Sequence, residues 1–161
     1  MRLVVFSDTH LPRGARRLPD ACLRELERAD LILHAGDFVS AAVLQELREF
    51  APVEGVHGNM DDPELCAALP SRRVVEAAGG RIGMVHDAGS LAGREARLAA
   101  SFSGCEAVVY GHTHVPQIER YGEVWILNPG SPTERRRAPT RGLLVLEVSE
   151  DAVTPRFVAI P

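Results

Sequence analysis

Arg2-Leu-Val-Val-Phe-Ser-Asp-Thr-His10 decides the fold. Four apolar residues run without a break and stop on Asp8 and His10. The segment therefore reads as a strand buried on both faces that delivers a carboxylate and an imidazole to one place. Working outward, four later apolar runs end in the same way, on Gly36-Asp37, Gly58-Asn59, His86 and Gly111-His112-Thr-His114.

The intervening sequence alternates strand with helix. After Arg2 to Ser7, Pro19 opens a helix with Cys22, Leu26 and Ala29 at helical spacing; Leu31 to His34 is the next strand. Ser40 is an N-cap for a helix with an apolar face of Val43, Leu44, Leu47 and Phe50, stopped by Pro52. Val53 to His57 is a third strand, and Pro63 to Leu69 a short helix. A hairpin follows, Val74 to Ala77 and Arg81 to Val85 around Gly79-Gly80, then a helix from Leu91 to Phe102. The remainder is mostly strand: Ala107 to Tyr110, Gln117 to Arg120, Glu123 to Leu127, Leu143 to Val148 and Val153 to Ile160.

Alternating strand and helix implies a parallel sheet, and the trailing strands imply a second, mixed sheet packed on it. The expected architecture is an α/β four-layer αββα sandwich of two mixed sheets flanked by helices. A chain of 161 residues with no linker or composition shift reads as a single domain over residues 1–161. In such sheets ligands bind beyond the carboxyl ends of the strands, where Asp8, Asp37, Asn59, His86 and His112 all fall.

Composition removes several classes. A net charge of -4 gives no global basic field for nucleic acid. No run approaches a membrane span, and the first apolar run is too short for a signal peptide. Cys22, Cys66 and Cys105 form neither a disulfide framework nor a CxxC clip, so a reduced cytoplasm is the expected location. All 18 basic residues are arginine, so a GxxxxGK phosphate loop cannot occur. Asparagine occurs only as Asn59 and Asn128, which calls for a chemical reason at each.

The residue types that end the strands suit metal. Asp8, Asp37 and Asn59 offer oxygen, and His10, His86, His112 and His114 offer nitrogen, a set that fits Mn, Fe, Ni, Co or Zn. Residues two apart, as in Asp8/His10 and His112/His114, can face one cleft as an extended backbone leaves the strand. Two divalent ions need an anion between them, and Asp37 is the candidate bridge. A water shared by two such ions is acidified and can attack phosphorus, so no side-chain nucleophile is required.

Taken together, Asp8-Thr-His10, Gly36-Asp37, Gly58-Asn59-Met-Asp61, His86 and Gly111-His112-Thr-His114 resemble the calcineurin-like metallophosphoesterase superfamily, and most of all its small single-domain bacterial and archaeal phosphodiesterases. Asn128-Pro-Gly-Ser131 extends the resemblance. It implies two divalent metal ions, Mn or Ni first: Asp8, His10, Asp37 and His114 hold one, and Asp37, Asn59, His86 and His112 the other. It implies a phosphodiester or nucleotide substrate attacked by a metal-bridging hydroxide, with no membrane partner, and a dimer or tetramer. A retromer-subunit-like interaction scaffold of the same fold, or a phosphomonoesterase or nuclease, is the alternative.

Two departures stand out. Relatives with Gly-Asn-His-Glu use the histidine to protonate the leaving group; this chain has Met60 there, so His57 and Asp61 are the replacement acids to test. Relatives with His-Gly-His at the fourth block contrast with His86-Asp87-Ala88 here. Arg13 and Asn59 are candidate substrate contacts. Blander roles exist for several neighbours: His34 satisfying buried backbone groups, Asn128 capping its own turn, and Arg135 to Arg137 as a solvated run.

Overall fold

Leu3, Val4, Val5 and Phe6 are all buried, because β1 (Arg2–Phe6) has a packed layer on each side. The computed structural model describes residues 1–14 and 16–161. After β1 come α1 (Asp20–Leu26), β2 (Leu31–His34), α2 (Ala41–Arg48), β3 (Val53–Gly55), α3 (Pro63–Ala68), β4 (Arg72–Ala77) and β5 (Gly80–Val85). Then follow α4 (Arg94–Ser101), β6 (Ala107–Tyr110), β7 (Gln117–Tyr121), β8 (Val124–Asn128), β9 (Arg141–Val148) and β10 (Val153–Ile160).

The side-chain period of two builds the layers. Leu3 and Val5 point inward with Leu33, Ile82, Met84, Val109 and Leu127, forming the core between the sheets. Val4, Phe6 and Ile32 point outward onto Cys22, Leu26, Val43, Leu47 and Leu65 of α1, α2 and α3. On the far side Val108, Tyr110 and Ile126 pack against Leu98 of α4 and Phe102 just beyond it. Helices, sheet, sheet and helix follow one another, the expected αββα sandwich.

Each sheet has five strands, in the orders β10-β9-β1-β2-β3 and β4-β5-β6-β8-β7. β1, β2 and β3 are parallel, as are β5, β6 and β8; β4 and β7 are antiparallel edges. The trailing strands do not all join the second sheet as expected: β9 and β10 return to the first, with Leu3 opposite Leu146 across an antiparallel ladder. Leu143 to Leu146 are buried on both faces, which only a position inside the sheet provides.

Three expected boundaries move. The helix read from Leu91 begins at Arg94, because Gly93 takes the N-cap position with φ 67° and Leu91 lies 74% exposed. β3 stops at Gly55, after which Val56 packs into the core between the sheets and His57 lines the cleft beside the site. Phe50 falls beyond α2 and is 41% exposed. Among the described residues no helix is long and apolar enough to cross a membrane.

Candidate metal centre

Parallel strands deliver their carboxyl ends to one edge, and the five segments meet there. Asp8 Oδ1 lies 3.2 Å from His114 Nε2 and 3.7 Å from His10 Nε2, and those two nitrogens are 3.3 Å apart. Alongside, Asn59 Oδ1 is 3.1 Å from both His86 Nε2 and His112 Nδ1. Asp37 Oδ2 stands between the groups, 3.6 Å from His10 Nε2 and 3.4 Å from His86 Nε2. Every residue singled out as a metal ligand is therefore in one cluster.

Each aspartate has one oxygen fixed and one aimed inward. Asp8 Oδ2 accepts from Ser7 Oγ at 2.6 Å and the His112 amide at 2.9 Å, and Asp37 Oδ1 accepts from the Met60 amide at 2.8 Å. Asp8 Oδ1 is buried with no hydrogen-bond partner. A lone buried carboxylate oxygen is costly unless a cation meets it, so the site fits a metal by this test as well as by its donor set. The histidines are oriented from behind: His86 Nδ1–H donates to Ala35 O at 2.7 Å, leaving Nε2 with its lone pair toward Asp37.

Electrostatics point the same way. Burial alone would raise both aspartates, but the neighbouring imidazoles of His10 and His114 hold Asp8 well below the usual carboxylate range, and that of His86 lowers Asp37. Burial would lower His86, yet Asp37 and Asp8 raise it. The cluster is built to concentrate positive charge.

The backbone is held in unusual conformations here. Asp8 (φ 55°), His10 (47°), Asp37 (59°), His112 (65°) and His114 (60°) all lie in the left-handed region. Such residues cost on the order of 1–3 kcal/mol each and persist where their surroundings over-determine them. The neighbouring glycines make room: a Cβ at Gly111 would lie 1.9 Å from Ser7 Oγ, and one at Gly58 would lie 2.1 Å from Asp37 Oδ1.

The other sequence candidates separate clearly. Asp61 takes amide hydrogens from Asp37 (3.1 Å), Val39 (2.7 Å) and Gly58 (2.7 Å), so its carboxylate clamps two site loops together. His57 lines an open cleft of about 470 Å³ with Asn59, His86, His112 and Arg72, and its Nδ1 is buried without a partner. Arg13 is 67% exposed and pairs with Glu134 at 3.1 Å. His34 accepts from the Gly36 amide, bonds Thr9 Oγ1 and stacks on Phe38 at 3.5 Å, the structural role foreseen for it.

Asn128 does more than cap its turn. Its Oδ1 accepts from the Gly130 amide, while Nδ2 donates to Gly111 O at 3.0 Å and Thr113 Oγ1 at 3.1 Å, pinning the loop that carries His112 and His114. Ser131 Oγ donates to Asp8 O and Thr133 Oγ1 to Thr9 O, both at 2.7 Å. Ser131 entered the sequence reading only as the end of the Asn-Pro-Gly-Ser motif, and Thr133 and Glu134 were missed by it.

A cage of imidazole nitrogens and carboxylates at the carboxyl edge of this sandwich is a site suited to divalent metal. The chain belongs to the calcineurin-like phosphoesterase superfamily, whose domain matches residues 1–151. A probable metallophosphoesterase of Methanothermobacter thermautotrophicus is 38% identical over 84% of this chain and 80% of its own. Among solved structures, a zinc complex of Vps29 from Entamoeba histolytica superposes with TM-score 0.78 at 22% identity, covering 99% of both chains. An archaeal phosphodiesterase superposes with TM-score 0.73 at 21% identity, over 98% of this chain and all of its own.

Proposed function

We propose that the protein is a dinuclear metal-dependent phosphodiesterase. The observation that carries this reading is Asp37 Oδ2, placed between His10 Nε2 of one ligand group and His86 Nε2 of the other. Asp8, His10, Asp37 and His114 would hold one ion; Asp37, Asn59, His86 and His112 the second. Mn or Ni comes first on the family resemblance, and the mixed oxygen and nitrogen donor set is compatible with Fe, Co and Zn as well. When bound, the ions would supply Lewis acidity, lowering the pKa of a bound water and offsetting charge on the phosphoryl oxygens.

The chain's own residues do the rest. Asp37 would offset repulsion between the ions, and the bare backbone at Gly58 and Gly111 admits the Asp37 carboxylate and the Ser7 hydroxyl that set the two aspartates. Asn59 and the exposed His112 border the cleft and orient the ester. Met60 has no proton to give. His57 is the better replacement acid, since its Nδ1 is free and it faces the cleft, whereas Asp61 is engaged by three amides. Three unpaired cysteines support a reducing, cytoplasmic setting. Self-association as a dimer or tetramer belongs to the same reading, and light scattering that finds only particles of about 17.5 kDa refutes it.

Metal-stripped protein, given Mn, Ni, Zn or Mg in turn, is to be assayed on an activated phosphodiester and the matching monoester. Diester hydrolysis restored by Mn or Ni is expected, with Asp37→Asn and His112→Ala reduced by at least about 10²-fold. Full metal-dependent activity in those variants would sink the proposal. The exposed Met60 in place of an acid favours a second reading, a metal-holding interaction scaffold; two ions bound with no turnover on either ester selects it.

A further inference from the structure

Glu134 reaches the back of the centre. Its main-chain carbonyl faces His114 Nδ1 at 3.4 Å, and its Oε2 lies 3.9 Å from the same nitrogen. Only 11% of the side chain is exposed, and three guanidinium groups hold it: Arg16 at 2.6 Å and Arg13 at 3.1 Å on Oε1, Arg136 at 3.1 Å on Oε2. Its own amide donates to Ser131 Oγ at 2.9 Å. The residue is thus fixed at its nitrogen and its carboxylate, and what remains is a carbonyl and a negative charge presented to one imidazole.

A histidine that binds metal through Nε2 must carry its hydrogen on Nδ1, and an acceptor there sets the tautomer, the ring plane and the basicity of Nε2. His86 has the Ala35 carbonyl for this purpose; among the described hydrogen bonds His114 has Glu134. We infer that Glu134, locked by Arg16 from the loop after His10, is a positioning residue that tunes the metal held by Asp8, His10 and His114 and leaves the other ion untouched. The inference rests on the dinuclear reading above. It also ties Arg16 to the centre across 118 residues of chain.

The test is a titration of metal-free full-length protein with Co(II), read by visible absorption and by competition with a chelator, with no substrate present. Wild type is expected to take up two ions. Glu134→Ala should weaken one binding step by about 10–100-fold, with a changed spectrum for that ion, and leave the other step as in wild type. Glu134→Gln keeps the side-chain volume and should weaken the same step less; Arg16→Ala should do so in smaller measure and Arg16→Lys recover part of it. Two unchanged steps in both Glu134 variants, or both steps weakened equally, overturns the inference. A wild-type chain that takes up fewer than two ions overturns the dinuclear reading with it, whereas two ions bound without diester hydrolysis sinks only the proposed activity.

Discussion

Ser131 Oγ donates a 2.7 Å hydrogen bond to the main-chain carbonyl of Asp8, joining residues 123 positions apart. The bond is buried, and Asp8 at the other end has φ 55°. Removing the hydroxyl leaves a buried carbonyl unpaired and takes one of its hydrogen-bonded supports from a strained residue. Ser131→Ala should cost about 1–3 kcal/mol in urea unfolding of the metal-free protein and weaken metal binding in parallel. An unchanged unfolding midpoint would show that Asp8 is held by other means.

Two glycine substitutions separate crowding from backbone strain. Gly111→Ala would set a methyl 1.9 Å from Ser7 Oγ and 2.9 Å from Asp8 Oδ2, so Asp8 must shift and metal uptake should fall sharply. Gly122→Ala, at φ 59° with nothing within 4 Å, meets only the left-handed penalty of about 1–2 kcal/mol and should bind metal as wild type does. Calorimetric titration of both variants decides; equal metal affinities would disprove the crowding argument.

His34 makes the protein acid-sensitive. Burial lowers its pKa from 6.5 to about 3, so the unfolded chain binds more protons than the folded one between those values. Stability is fully present above pH 6.5 and is lost as pH falls toward 3. At pH 5 this one group removes about 2 kcal/mol. Metal-free wild type and His34→Gln, compared by urea unfolding at pH 7 and pH 5, should show the smaller loss in the variant; identical losses refute the assignment.

Metal should stabilise the fold, because its ligands meet only in the folded state. At a free concentration 100 times Kd the gain is about 2.7 kcal/mol per site. Thermal unfolding with added Mn, and again after chelator, should rise and then return. Asp8→Asn should abolish most of the rise while unfolding cooperatively, and a full rise in that variant counts against Asp8 as a ligand.

The seven ligand candidates were legible because each follows an apolar run, a local signal that needs no knowledge of the partner strand. His34 shows where such signals end. It closes β2 much as His86 follows β5, and only the ring of Phe38 against it and the Gly36 amide on its Nδ1 reveal a packing role. Glu134 was invisible for a different reason: its significance depends on Arg13, Arg16 and His114, none of them near it in sequence. The placement of β9 beside β1 was likewise hidden, since an all-apolar strand says that both faces are covered and not which neighbour covers its edge.

The central position of β1 sets an order of events during synthesis. β1 leaves the ribosome well before β9, yet its ladder on one side waits for that strand, with Val4 opposite Val145 and Leu3 opposite Leu146. Until then one rim of β1 offers free amide and carbonyl groups to any extended chain nearby. The latches from Ser131 and Thr133 onto Asp8 and Thr9 arrive only shortly before. A translation product cut off before Ser131 would therefore carry an adhesive strand and an unsecured aspartate loop, so aggregation and a poorly held metal pocket would have a common origin in an unfinished sheet.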